Sequence, residues 1–128
     1  MTEEDKELLL RDLSARLPYG VRVFVSGDDF DNYQYPYLLT VISKFGQDIF
    51  CKIYSPIYTP LGCPGIENVK PYLFPLSSIT KKRLEELSEY IDIKNAYVAV
   101  ELLNSHHIDY RGLIEKGLAI DATGLNIY

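Results

Sequence analysis

Five prolines fall within residues 55–77, at Pro56, Pro60, Pro64, Pro71 and Pro75. Each fixes its own φ and lacks a backbone N–H, so this segment can be neither a helix nor a central strand. It is also too apolar for a flexible linker, since it carries Ile57, Leu61, Ile66, Val69, Leu73 and Phe74. The reading is a packed, extended loop with one short strand near residues 67–72. Everything else has to be arranged around it.

Before that loop the periodicity changes twice. Leu9, Leu10, Leu13 and Leu17 recur at helical spacing, Thr2 can accept a bond from the Asp5 amide, and Glu3, Glu4 and Asp5 complement the positive end of a helix starting there. Pro18-Tyr19-Gly20 ends that helix, which is placed at 3–16. Residues 21–25 (VRVFV), 37–43 (YLLTVIS) and 48–54 (DIFCKIY) alternate and read as strands, the last two joined by a turn at 44–47. Cys51 shares a strand face with Ile49 and Ile53 and reads as a small core residue.

After the loop, Ser78 or Thr80 caps a helix whose buried stripe is Leu84, Leu87 and Ile91. Residues 93–107 hold valines that suit a strand, but Ile93, Ala96, Val100 and Leu103 repeat at helical intervals, and helix is preferred. Asp109 then caps a short helix from Tyr110 to Lys116, with Gly117 as its left-handed terminator. LAID and LNIY read as short strands or an extended tail. The chain is therefore one α+β domain over 1–128. It has an N-terminal helix and a small antiparallel SH3-like barrel or curled sheet in 1–76. A helical cover with a short extended C-terminal segment occupies 77–128.

The segments RDLSARLPYGVRV, NVKPYLFPLSSIT and LNSHHIDYRGLIEKGLAIDA resemble those of a family of small uncharacterised proteins encoded by anaerobic gut bacteria and their phages or prophages. The resemblance implies an origin in a mobile element. It implies no activity.

At 128 residues and 47% hydrophobic the chain can bury a core without metal or disulfide. The net charge of −5 repels phosphate backbones and anionic membranes at long range, which makes nucleic acid an unlikely partner. An acidic N-terminus, no apolar run long enough to span a bilayer and only two cysteines point to a cytoplasmic, reduced protein.

Several residues look chemically capable. His106, His107 and Asp109 could hold a metal, but adjacent helical residues point about 100° apart, and histidines near a helix end also serve its dipole. Cys63, in a loop, is a better nucleophile than buried Cys51. Lys81, Lys82 and Arg83 open a helix and could bind an anion, although Glu85 and Glu86 offset them. Tyr33, Tyr35 and Tyr37 alternate and, with Tyr58 of the proline-rich loop, could form an interaction surface. No cofactor motif is present. The sum points away from an enzyme and towards an interaction or accessory module, with another protein as its partner and the oligomeric state left open. The metal-binding or enzymatic site and the anion site are the alternatives.

Overall fold

The computed structural model describes residues 1–26, 36–55, 60–82, 85 and 96–128. Helix α1 (Glu3–Arg16) starts at the expected cap, where the Thr2 hydroxyl accepts from the Asp5 amide, and the Asp5 carboxylate accepts in return from the Thr2 amide to complete a capping box. Its Leu9 and Leu13 enter the core. Strands β1 (Arg22–Val25), β2 (Tyr37–Phe45) and β3 (Asp48–Tyr54) follow, then β4 (Pro60–Gly62) and β5 (Val69–Pro75). Helix α2 (Ala96–Ser105) leads into two short strands, β6 (Ile108–Asp109) and β7 (Ile120–Asp121). The valine-rich stretch that could have been a strand is thus helical. The helix expected at about 81–91 lies largely outside the described residues.

The sheet order is β4-β3-β2-β1-β5-β6, with β7 also on β5. Strands β1 to β5 pair antiparallel, whereas β6 and β7 pair parallel to β5. Among the described residues β4 does not meet β6, so the α+β class holds but the sheet is open rather than closed into an SH3-like barrel.

The expectation that no central strand could form within 55–77 is overturned by β5, which lies between β1 and the pair β6 and β7. Register explains how a proline fits there. Val23 faces Pro71, and the Ser26 amide donates to the Asn68 carbonyl three rungs on. Hydrogen-bonded pairs alternate along an antiparallel ladder, so Val23–Pro71 is a pair that exchanges no hydrogen bonds. The missing N–H of Pro71 faces the other edge, where β7 and β6 engage only residues 72–75.

A second correction concerns residues 110–116. They form irregular turns rather than a helix, because Gly112, in the middle of the expected helix, has φ 74°. The segment does end as expected at left-handed Gly117, where the Leu118 amide reaches back to the Leu113 carbonyl at 2.9 Å.

One face of the sheet, bearing Val23, Val25, Tyr37, Leu39, Cys51, Ile53, Val69 and Leu73, packs with Leu9 and Leu13 to make the core. Tyr37 is only 1% exposed, so it is a core ring and not part of an interaction surface. Among the described residues no helix is long and apolar enough to cross a membrane.

Candidate functional site

Two features stand out from the fold: a buried polar cluster where α1 meets residues 104–111, and the sheet face turned away from the core.

The cluster begins on α1. Asp12 and Arg16 share the helix stripe of Leu9 and Leu13, and both are fully buried at 0% exposure. Arg16 donates through Nε to Asp12 at 2.8 Å and through Nη2 to the Ile108 carbonyl at 2.5 Å. Arg111 lies 3.5 Å from the other Asp12 oxygen and donates to the Tyr110 hydroxyl at 2.8 Å, which donates in turn to Asn104 at 2.9 Å. Both guanidiniums lie over the Tyr110 ring, at 5.4 and 4.7 Å. Arg16 Nη1 has no hydrogen-bond partner among the described residues.

Beside this network sits His107. It follows the last turn of α2 in the left-handed conformation, φ 59°, which turns the chain from helix into β6. Its carbonyl accepts from the Phe74 amide, and its ring stacks on Tyr128 with centroids 3.6 Å apart. Burial, then the charges of Arg16, His106 and Arg22, push its pKa down to about 4. Burial likewise pushes the Tyr128 phenol up to about 12. Both groups are therefore neutral near pH 7, and neither is poised as a general acid or base.

The proposed metal set is not assembled. His107 is buried and stacked, whereas His106 is exposed. Both Asp109 oxygens accept backbone amides, those of Leu113 and Ile114, at 2.9 Å each. Asp109 is a cap. Among the described residues no group of three or more His, Cys, Asp or Glu could hold a metal. Cys51 is buried, and burial followed by Glu67 and Cys63 pushes its thiol up to about 12, while Cys63 is exposed. Lys81 and Lys82 are exposed on a helical turn. Arg83, Tyr33, Tyr35 and Tyr58 lie outside the described residues.

The outer sheet face follows from register. Arg22 faces Leu38, which faces Tyr54; Phe24 faces Lys70; Val41 faces Lys52; Ser43 faces Phe50. A bulge between Leu39 and Val41 brings Val41 onto this side. Phe24, Val41 and Phe45 are 37%, 45% and 68% exposed. The Phe45 and Phe50 ring centroids lie 6.0 Å apart, and the Lys52 ammonium lies 5.6 Å from the centroid of the Tyr54 ring. The only carboxylate in β1 to β5 is Asp48, at the hairpin end.

Sequence reasoning missed both features. The i,i+4 pair Asp12 and Arg16, lying on the same stripe as Leu9 and Leu13, was the available signal for the cluster. The signal for the outer face was alternation in the strands: Arg22 and Phe24, Phe50, Lys52 and Tyr54, then Lys70 and Tyr72, all of one parity. Comparison with family models, with curated proteins and with solved structures gives no match.

Proposed function

We propose that the protein is a non-enzymatic binding module, an accessory protein of a mobile genetic element, and that its working surface is the outer face of the sheet. One observation carries this reading. The large apolar side chains left exposed in the described strands, Phe24, Val41 and Phe45, all lie on that one face. Leaving such groups in water forgoes about 1–3 kcal/mol for each, so their gathering on one side favours a covered state. The chemically capable residues support the reading from the other direction. Asp109 caps a turn, His107 and Tyr128 are stacked and neutral, and the Cys51 thiol is buried. Two free cysteines fit a cytoplasmic setting.

The test is partner retention by tagged protein in its native host. The parent is expected to hold a stoichiometric partner, and the double variant Phe24→Ser/Phe45→Ser to lose it while melting within a few degrees of the parent. A parent that elutes as a bare monomer, or a variant that keeps the partner, would count against the surface.

A further inference from the structure

Resting on that reading of the outer face, we propose that its occupant is single-stranded nucleic acid. The net charge of −5 is not spread evenly over the molecule. The outer face carries Arg22, Lys52 and Lys70, with Asp48 as the sole carboxylate in β1 to β5 and set apart at the hairpin end. Three acids, Glu3, Glu4 and Asp5, lie instead in the first turn of α1. At the Debye length of about 8–10 Å that holds in ordinary salt, a ligand on the sheet senses chiefly the charges nearest to it, which within β1 to β5 include Arg22, Lys52 and Lys70.

The cations alternate with rings. Phe24 is the direct neighbour of Lys70, and the Lys52 ammonium sits over Tyr54. Arg22 lies in the same row as Tyr54, separated by Leu38. Phe50 is two residues along β3 from Lys52, on the same face. Same-face neighbours along a strand are about 7 Å apart and adjacent strands about 5 Å apart. A stretched strand of nucleotides can therefore lay bases on successive rings while its phosphates meet the interleaved ammonium and guanidinium groups. Duplex has no unstacked bases to offer these rings. An acidic protein segment would satisfy the cations but brings a flat group only at its occasional aromatic residues, whereas a nucleotide strand carries a base with every phosphate, so single strands are favoured.

The experiment is fluorescence anisotropy of a labelled oligothymidylate of about twenty nucleotides, titrated with the full chain at about 50 mM and about 200 mM salt. Three phosphate contacts predict affinity falling roughly tenfold or more between those salts. Lys52→Glu/Lys70→Glu is expected to weaken binding at least about tenfold at low salt and to flatten the salt dependence. Phe24→Ala and Phe50→Ala are each expected to cost about fivefold or more with little change in salt slope. Lys116→Glu, away from the sheet, is the control and should bind as the parent does. Circular dichroism melts establish that each variant is folded. No binding by the folded parent at low salt overturns the proposal, as does binding indifferent to the sheet variants. Binding of labelled poly-L-glutamate in place of the oligonucleotide, lost in the same variants, also overturns it but leaves the binding-module reading standing. If neither probe binds, the nucleic-acid proposal falls, and partner retention by Phe24→Ser/Phe45→Ser decides the module reading separately.

Discussion

The Tyr128 ring lies flat on the His107 ring, 3.6 Å between centroids and 10° from parallel, and the same tyrosine mends a break in the sheet. The register that pairs Val23 with Pro71 would place Arg22 opposite Tyr72 as a hydrogen-bonded pair. The strands part there. The Tyr128 hydroxyl accepts the Arg22 N–H at 3.0 Å and donates to the Tyr72 carbonyl at 2.7 Å. Tyr128→Phe leaves both backbone groups without that bridge. It is expected to cost about 1 kcal/mol in urea unfolding and to speed amide exchange at Arg22. Unchanged exchange at Arg22 would show that the bridge contributes nothing.

His107 makes stability depend on pH with a definite sign. Its folded pKa is pushed from 6.5 to about 4, so on acidification the unfolded chain takes up this proton first. The contribution is level above pH 6.5 and shrinks as pH falls from there towards 4, by about 3 kcal/mol in all. His107→Asn keeps a residue that tolerates the left-handed backbone and removes the imidazole. Urea unfolding from pH 7 down to 4.5 should therefore give the variant a shallower acid slope than the parent, although it starts less stable. Parallel slopes would mean that His107 is not the group responsible.

Asp12 supplies the only carboxylate to Arg16 and Arg111 in the buried cluster among the described residues. Asp12→Asn strands the Arg16 charge at zero exposure. A loss of about 3–5 kcal/mol is expected in denaturant unfolding. The double variant Asp12→Leu/Arg16→Met removes both charges and should recover much of that loss. A double variant no better than Asp12→Asn would show that the contact of Arg16 with the Ile108 carbonyl, rather than the ion pair, sustains the junction.

Asp109 holds two amides of the following segment, and one of them, the Leu113 amide, is buried. Asp109→Ala should cost about 1–3 kcal/mol by thermal or urea unfolding. If Asp109 serves as this cap alone, zinc should shift the melting temperature of parent and variant equally. A zinc-induced rise confined to the parent would restore the metal reading of His106, His107 and Asp109.

The parts of this fold legible in the sequence were those set by local pattern. The Thr2 cap of α1, the strand period of β1 to β3 and the left-handed end at Gly117 depend on residues a few positions apart. The parts that could not be read depend on distant partners. Pro71 argued against a central strand because proline lacks an N–H, but the cost vanishes once register turns that position away from β1. Only the pairing with Val23 reveals this. Gly112 was absorbed into an expected helix because glycine does not announce its φ. Asp12 and Arg16 went unread although they share the stripe of Leu9 and Leu13, because the carbonyl that Arg16 meets in the buried cluster lies 92 positions away. The outer face was hidden for a related reason. Net charge counts residues without saying which side of a strand they occupy.

The two thiols differ enough to be told apart by reagent. Cys63 is exposed, whereas Cys51 is buried among core side chains with its thiol pushed up to about 12. Alkylation needs the thiolate and access to it, and Cys51 has neither in the folded chain. Iodoacetamide at mildly alkaline pH should therefore modify Cys63 quickly, with peptide mapping locating the label there. Cys51 should react only as fast as the core opens, its rate rising with urea in step with unfolding. Cys51→Ser places a hydroxyl in an apolar site and should lower stability by about 1–3 kcal/mol, whereas Cys63→Ser should change it little. Rapid labelling of Cys51 under native conditions would mean that the sheet opens locally at β3 and β4, since the Cys51 amide is held by the Pro64 carbonyl at 2.9 Å beside that pairing.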